Sequence, residues 1–263
     1  MRICRVAVDD GIFFGLIEGL DEQGQVGEGT LVALIDGHPY GELRPEGRLF
    51  KADEVRFVAP VLPSKIIAVA KNYAAHAKEM NSEVPASPNV FLKPSTTVIG
   101  PGEPIMLPWQ SERVEHEAEL AVVIGRLCRD VPADRVHEVI LGYTCANDVT
   151  ARDLQRIDNQ WGRAKGFDTF CPLGPWIVTD LEPEDLAVSL RVNGEVRQQG
   201  STNEMVFDVV ELVSWVSSIM TLLPGDVILT GTPAGVGPLL AGDEVTVSIA
   251  GIGSLTNPVV DRV

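Results

Sequence analysis

The chain has 263 residues, of which 45% are hydrophobic, 22% charged and 6% aromatic, and its formal net charge is −16. This length accommodates one large domain or a main domain with a small companion, and the composition is typical of a soluble globular protein. The negative charge argues against nucleic acid and anionic membrane partners, because no basic surplus is available to neutralise phosphates. No segment has the roughly 20 apolar residues of a membrane span.

The first 60 residues predict a small β-rich unit. The segments "RICRVAV" and "GIFFGLIEG" alternate in hydropathy on either side of a turn signal. Asp9, Asp10 and Glu18 interrupt each apolar run, so the opening residues lack the apolar stretch of a secretory signal. The four cysteines have no CxxC spacing, which predicts reduced thiols and a cytoplasmic location.

Residues 61–263 are predicted to form the main unit. An apolar strand at Ile66–Ala70 leads into "NYAAHAKEM", an Ala-rich segment that predicts a short helix. "NSEVPASPNV" follows as a surface loop, and loops of this length beside a candidate site are often lids. We therefore expect this loop to close over a bound ligand.

Two later segments carry strong local signals. Asn193 and Gly194 in "VSLRVNGEVRQQG" predict a hairpin with a type I′ turn. Asp208 and Glu211 resemble a capping box at the start of an amphipathic helix, "DVVELVSWVSSIMTL". Many short strands, few helices and turns rich in Gly and Pro predict a mainly β fold with some α, and not a doubly wound α/β fold.

The stretch "ERVEHEAELAVVIG" places acids next to an apolar, β-branched run. Side chains alternate along a strand, so Glu117 and Glu119 share a face with their Cα atoms roughly 7 Å apart. Carboxylates so close cost free energy unless an ion or a cationic side chain neutralises them, which makes the pair a candidate metal site. The alternative is the polar end of a solvent-exposed strand. His116 is expected on the other face and is assigned no role.

A third acid, Asp148, ends an apolar segment in "LGYTCANDVTARDLQ". Thr150 and Asp153 match a capping box for the following helix, so Asp153 is interpreted as a cap. Asp148 lies at the junction of strand and helix, as a metal ligand or as another cap. A site made of carboxylates selects a hard cation, Mg²⁺ or Mn²⁺, with water and substrate oxygens completing the octahedron.

His76 and Glu79 are three residues apart in the predicted helix and therefore share a face. A carboxylate partner fixes the imidazole tautomer and strengthens it as a base, so the two residues form a candidate catalytic pair. The alternative is an exposed helical ion pair.

Lysine is rare in this chain, since only six of the 21 basic residues are lysines. Lys93 and Lys165 are candidates for an ammonium beside a carboxylate or enolate oxygen, or else are plain surface lysines.

The segment "GTPAGVG" lacks the Lys-Ser/Thr of a phosphate loop. Its glycines allow close approach to a small ligand, with the Thr232 hydroxyl as a donor, or they form a tight turn between strands.

Six motifs in order resemble the fumarylacetoacetate hydrolase family: "KNYAAHAKEM", "FLKPSTTVIGPGEPI", "VEHEAELAVVIG", "GYTCANDVTARDLQ", "RAKGFDTFCPLGPW" and "GDVILTGTPAGVGP". The resemblance runs from about Lys65 to Val260. It implies a mixed β-sandwich roll, often preceded by a small N-terminal domain, and a homodimer.

The same resemblance implies roles for single residues. One Mg²⁺ or Mn²⁺ per subunit is expected on Glu117, Glu119 and Asp148. The catalytic residues are expected to be His76, Glu79 and Lys165. Arg152, Gln155 and Thr232 match substrate-facing positions, to which we add Lys93. Lys71 and Asn72 occupy the region where the founding hydrolase has a fourth metal carboxylate, which disfavours fumarylacetoacetate itself as substrate.

The function implied by the resemblance is that of a metal-dependent enzyme acting on small 2-oxo dicarboxylic acids. It would hydrolyse or decarboxylate a C–C bond through a metal-stabilised enolate, as acylpyruvate hydrolases and oxaloacetate decarboxylases do. The alternative enzyme is an isomerase or decarboxylase of aromatic-acid breakdown, acting on a 2-hydroxyhepta-2,4-diene-1,7-dioate or a similar diene. The alternative from another class is a non-catalytic metal-binding protein.

Overall fold

The computed structural model describes residues 1–21, 24 and 26–261, so the last two residues of the predicted main unit lie outside it. Strands outnumber helices, which confirms the predicted mainly β fold. The strands are β1 Arg2–Val8, β2 Gly11–Glu18, β3 Leu31–Ile35, β4 Pro45–Lys51, β5 Arg56–Phe57, β6 Ile66–Ala70, β7 Asn89–Lys93, β8 Val98–Ile99, β9 Ile105–Leu107, β10 Val114–His116, β11 Ala118–Ile124, β12 Ile140–Asn147, β13 Thr150–Ala151, β14 Cys171–Val178, β15 Ala187–Val192, β16 Glu195–Ser201, β17 Val227–Leu229, β18 Gly237–Pro238, β19 Glu244–Ile249 and β20 Gly253–Asp261. The α-helices are α1 Ala74–Glu79, α2 Arg152–Ile157, α3 Gly162–Lys165 and α4 Val209–Ile219.

The described strands form three sheets. The largest follows the order β4-β3-β2-β1-β14-β12-β11-β17-β6-β7, with β5 paired to β1 and β8 to β14. A second sheet has the order β16-β15-β19-β20-β9, and a third has the order β13-β10-β18. Strands β11, β12 and β14 pack against β15, β19 and β20, which makes the first two sheets a sandwich, as predicted.

The first 60 residues continue the large sheet. Strand β1 pairs antiparallel with β14, with Arg2 opposite Val178 and Ile3 opposite Ile177. The division predicted at residue 60 falls in the connection between β5 and β6. The two units therefore share one sheet, and their independence as domains stays a prediction.

Strand β11 is buried on both faces, which explains its continuous apolar sequence. Leu120, Val122 and Ile124 belong to one hydrophobic cluster, whereas Ala121 and Val123 belong to the other. Both clusters extend across several strands of the large sheet, so the acids at the start of β11 lie beside a fully buried strand.

Two local predictions are confirmed. The hairpin of β15 and β16 turns at Asn193 and Gly194, whose φ angles of 52° and 81° suit a type I′ turn. Helix α4 begins after Asp208, whose side chain accepts a hydrogen bond from the Glu211 N–H, which confirms the Asp208 half of the predicted capping box. No helix in the described part is both long and apolar enough to cross a membrane.

The capping box predicted at Thr150 and Asp153 is wrong. Helix α2 begins at Arg152, and its N-cap, Ala151, has no side-chain cap. The Asp153 carboxylate instead accepts hydrogen bonds from the Ser111 hydroxyl (2.5 Å) and the Glu112 N–H (2.9 Å). These donors come from a distant loop, so local spacing gave the wrong partner.

Candidate active site

The register of two strands brings three acids together. Ala118 of β11 lies opposite Asn147 of β12, so Glu117 and Asp148 are neighbours just beyond the paired ends, and Glu119 shares the face of Glu117. One oxygen of each carboxylate of Glu117, Glu119 and Asp148, the carboxylate cluster, lies within 4.8 Å of the others. Each of these residues is at most 4% exposed, which excludes the solvent-exposed strand end.

Two cations neutralise Glu117. Lys165 Nζ donates to Glu117 Oε2 at 2.8 Å and to Asp148 Oδ2 at 2.6 Å. The Arg152 guanidinium donates to Glu117 Oε1, and its Nε donates to Glu115 Oε2 at 2.6 Å. Burial raises the pKa of Glu117, but the charges of Lys165 and Arg152 reverse this and hold its pKa below the ordinary value. Glu117 is therefore ionised.

Lys93 and Lys165 hold Asp148 from two sides. Lys93 Nζ donates to Asp148 Oδ1 at 2.5 Å and to the Val149 carbonyl oxygen at 3.4 Å. Burial lowers the pKa of Lys165, but the carboxylates of Asp148 and Glu117 raise it above its ordinary value. The Lys93 side chain is fully buried and is not among the residues that line the cavity described below, and its contact with substrate stays a prediction.

Glu119 is the least neutralised member of the carboxylate cluster. Its carboxylate accepts a hydrogen bond from the Gly231 N–H at 2.7 Å, and it forms no ion pair within the described residues. Burial raises the pKa of Glu119, and the charges of Asp148 and Glu117 raise it further, well above the ordinary value. A divalent cation removes this cost, and three clustered carboxylates suit Mg²⁺ or Mn²⁺.

The candidate pair on α1 is formed in the structure. His76 Nδ1 lies 3.1 Å from Glu79 Oε2, and because an ionised carboxylate only accepts, Nδ1 carries the proton and Nε2 is the basic nitrogen. Glu79 also accepts from the Gly235 N–H at 3.1 Å, which ties α1 to the loop after β17. His76 is only 6% exposed, whereas Glu79 is exposed, so the imidazole is buried and its carboxylate partner lies at the surface.

A cavity of about 240 Å³ joins most of these residues. The predicted site residues in its wall are His76, Glu117, Glu119, Asp148, Arg152, Gln155, Lys165 and Thr232. Met80, Asn81 and Ser82, at the start of the predicted lid loop, also belong to the wall. Phe91 and Trp161 add an apolar side to it. Thus one cavity presents acidic, basic and apolar surfaces together.

The sequence prediction missed Gln198, which is fully buried between the cavity loop and β11. Its Oε1 accepts hydrogen bonds from the Ala118 N–H and His116 Nδ1, both at 3.0 Å. Its Nε2 donates to Thr232 Oγ1 at 2.7 Å and to the Pro233 carbonyl oxygen at 2.8 Å. The two backbone partners fix the amide orientation, so Thr232 Oγ1 accepts here and its hydroxyl proton is directed elsewhere.

The sequence contained no signal for Gln198, because a β-bulge changes its register. A regular two-residue hairpin places Arg197 opposite Leu190, whereas the bulge between Leu190 and Arg191 places Gln198 there. His116 was assigned no role because it was expected on the face opposite Glu117, and its partner in the structure comes from this hairpin. Burial lowers the pKa of His116, so it is held neutral beside Gln198.

Two curated relatives cover most of the chain. Protein Rv2993c from Mycobacterium tuberculosis is 54% identical over 265 residues, covering 100% of this chain and 99% of its own. The mitochondrial oxaloacetate tautomerase FAHD2A from Homo sapiens is 47% identical over 220 residues, covering 79% of this chain and 70% of its own.

Two solved structures show the same fold with different named activities. The 5-carboxymethyl-2-hydroxymuconate delta-isomerase from Mycobacterium smegmatis is 54% identical, with a TM-score of 0.92 and 100% of both chains covered. The fumarylpyruvate hydrolase from Pseudomonas aeruginosa, in complex with Mn²⁺ and pyruvate, is 32% identical, with a TM-score of 0.72, covering 79% of this chain and 92% of its own.

Two family models divide the chain between them. The model described as Rv2993c-like, N-terminal matches residues 1–60. The model described as fumarylacetoacetate (FAA) hydrolase C-terminal matches residues 65–260, which include the whole carboxylate cluster and the candidate pair on α1. The chain therefore belongs to the fumarylacetoacetate hydrolase family.

Proposed function

We propose that this chain is a divalent-metal-dependent enzyme that hydrolyses or decarboxylates small 2-oxo dicarboxylic acids. The observation that carries this proposal is the meeting of three buried carboxylates, the Lys165 ammonium and the His76 imidazole at one cavity. A non-catalytic metal-binding protein has no need of an ammonium and an oriented base beside its ligands.

Glu117, Glu119 and Asp148 are the residues that would hold the ion. A divalent cation bound there would supply Lewis-acid polarisation to the oxygens of a 2-oxo acid. Lys165 is already protonated between two of these carboxylates, so its ammonium is available to stabilise negative charge on the same substrate oxygens. Arg152 holds Glu117 from the other side and keeps it ionised.

His76 is the general base for the hydrolytic reaction. Glu79 accepts a hydrogen bond from Nδ1–H, which leaves Nε2 to take a proton from the water that attacks the distal carbonyl of an acylpyruvate. Glu79 is itself held by the Gly235 N–H, so the imidazole orientation depends on the loop that also carries Thr232. Decarboxylation needs no attacking water and therefore does not need this base.

The comparisons support the substrate class and the ion. The Pseudomonas hydrolase carries Mn²⁺ and pyruvate, which is a 2-oxo acid, in a structure that covers 79% of this chain. The donor set here, all oxygen and all acidic, suits Mg²⁺ or Mn²⁺, with one ion per subunit. The homodimer and the cytoplasmic location expected from the sequence stay predictions.

Isomerisation is the second candidate. The Mycobacterium smegmatis isomerase covers the whole chain at 54% identity, and the human relative is named a tautomerase. An enolate stabilised by Lys165 serves hydrolysis, decarboxylation and tautomerisation alike, and the reactions differ in whether water attacks or a proton returns to carbon.

A substrate panel with matched variants separates these reactions. Acetylpyruvate, oxaloacetate and a hydroxymuconate-type diene are each offered with Mg²⁺, with Mn²⁺ and with EDTA, and products are identified by NMR. We expect metal-dependent turnover, and His76→Ala should slow acylpyruvate hydrolysis by about 10²- to 10⁴-fold while sparing decarboxylation. His137→Ala, which changes an exposed histidine, is the control.

Three results would count against the proposal. Turnover that is unchanged in EDTA would show that the reaction does not need a metal ion. Hydrolysis that is unchanged in His76→Ala would show that His76 is not the general base. If only the diene is converted and no C–C bond of the other compounds is cleaved, the chain is an isomerase and the proposed hydrolysis or decarboxylation is wrong.

A further inference from the structure

The turn between β6 and α1 presents a lysine to the cavity in a strained conformation. Lys71 directly follows β6, and its φ of 58° lies in the left-handed region that residues other than glycine rarely adopt. Glycine adopts this region without a steric penalty, whereas an L-residue does not. Strain of this kind collects at functional sites. The chain thus holds a lysine where a glycine would fold more easily.

Lys71 differs from the other cations of the cavity wall in its partners. Arg152 and Lys165 both donate to carboxylates, and they share Glu117. Lys71 Nζ donates to the Ser82 hydroxyl oxygen at 2.5 Å, and no carboxylate of the described residues forms an ion pair with it. Of the lysines and arginines that line this cavity, Lys71 is therefore the one that the described part of the chain leaves without a carboxylate partner.

We propose that Lys71 and Ser82 bind the distal carboxylate of the substrate, so that the chain selects 2-oxo dicarboxylates over 2-oxo monocarboxylates. This inference rests on the proposed function, which places the 2-oxo acid end of the substrate at the carboxylate cluster. A second carboxylate inside the cavity needs a cation or hydrogen-bond donors in place of water. The Lys71 ammonium supplies the charge, and the Ser82 hydroxyl supplies a second donor.

The other cations are poorly placed for this task. Arg152 donates to Glu115, Glu117 and the Gln155 side-chain oxygen, so two buried carboxylates already neutralise its charge and it attracts a distal carboxylate less than Lys71 does. Lys71 contacts only the neutral Ser82 hydroxyl, and a bound carboxylate can accept hydrogen bonds from both groups at once. Selection at Lys71 therefore leaves the charges around the carboxylate cluster unchanged.

Binding of two chain-matched acids tests the proposal. 2-Oxoglutarate and 2-oxopentanoate share a five-carbon 2-oxo acid, and only the former has a distal carboxylate. Their affinities are measured by calorimetry on the Mg²⁺-loaded protein. We expect the wild type to prefer 2-oxoglutarate by about tenfold or more, as for a hydrogen bond to a charged group. Lys71→Met should bring this ratio close to one, and Lys71→Arg should keep most of it.

Lys78→Met is the matched control, because it removes the same charge from the exposed side of α1 and leaves the cavity wall intact. It should leave the ratio unchanged. Lys71→Gly removes the ammonium together with the left-handed strain, so it should lose the preference while its Tm is kept or raised. A folding defect in Lys71→Met would thus be recognised.

The proposal is overturned if the wild type shows no preference, if Lys71→Met keeps the wild-type ratio, or if it weakens both acids equally. Turnover of the wild type is measured separately with the substrate panel. If turnover does not depend on metal but the binding preference is kept and depends on Lys71, the proposed reaction is wrong. The proposed binding of the distal carboxylate by Lys71 and Ser82 then still holds.

Discussion

Two buried carboxylates near opposite ends of β17 differ in how many hydrogen-bond donors surround them. Asp226, just before the strand, is fully buried and accepts hydrogen bonds from the Ser64 hydroxyl (2.6 Å), the Lys65 N–H (3.2 Å) and the Leu223 N–H (2.8 Å), and it forms an ion pair with the Lys65 ammonium. Glu119, beside the other end, accepts one hydrogen bond from Gly231 within the described residues.

We interpret this difference as that between an acid with a structural role, Asp226, and an acid proposed to bind a metal ion, Glu119. An acid that must hold the fold together is saturated by donors of the chain itself, since a buried charge without partners is costly. An acid that is left short of donors, next to two others, costs stability until a ligand arrives. Burial alone does not distinguish the two cases, whereas the count of donors does.

The largest effect is expected from Glu119→Gln. Loss of a ligand should weaken Mg²⁺ or Mn²⁺ binding by more than the 10- to 100-fold seen for partners of ligands, and activity should fall with it. Stability without metal should be kept or raised, because a crowded carboxylate is removed. Calorimetric metal titration and Tm with and without Mg²⁺ measure both. A variant that binds metal like the wild type would exclude Glu119 as a ligand.

Asp226→Asn should do the reverse. It leaves the Lys65 ammonium without its carboxylate and should lower the free energy of unfolding by about 3 kcal/mol, at the low end for a broken buried pair because Lys65 is partly exposed. Urea unfolding measures this loss, and activity per folded molecule should be kept. Adding Lys65→Met should recover part of the stability. A variant that is stable but inactive would contradict the structural role of Asp226.

A smaller effect is expected from Gln198→Ala, which removes the partner of Thr232 Oγ1. Substrate KM should rise about tenfold, equivalent to about 1.4 kcal/mol, with a smaller change in kcat. Stability should fall by about 1–3 kcal/mol, since the Ala118 N–H and His116 lose a buried acceptor.

Thr232→Val is the comparison for Gln198→Ala, because it removes the hydroxyl itself. If Gln198 acts through Thr232, the double variant should have the KM of Thr232→Val alone. Additive increases in KM would instead show that Gln198 affects the site by another route.

Local patterns predicted most of the carboxylate cluster and several elements of the fold. The period of a strand was enough to place Glu117 and Glu119 on one face, and turn residues were enough to place the hairpin at Asn193 and Gly194. The roles of Arg152, Gln155 and Lys165 came from family resemblance, because no local pattern shows that a cation will reach an acid far away in the chain.

The errors share one physical cause, which is competition from distant partners. Asp153 suits a cap by spacing, but a loop that ends 40 residues earlier in the chain offers it better donors. Lys93, whose contact with substrate stays a prediction, is likewise held by a residue far along the chain, Asp148. Gln198 is in a polar hairpin that the bulge turns inward. Such contacts depend on tertiary packing that sequence spacing does not encode.

Strands β6 and β17 run parallel, so the turn that carries Lys71 and the loop that carries Thr232 leave the sheet at the same end. The acids that would bind the ion come from other strands, β11 and β12. On the proposed roles, the residue that selects the substrate and the acids that would bind the ion are therefore encoded in separate stretches of the gene, although the proposed base pair on α1 follows Lys71 closely. A change confined to the turn would alter which acids are accepted, while the acids that would bind the ion are inherited intact.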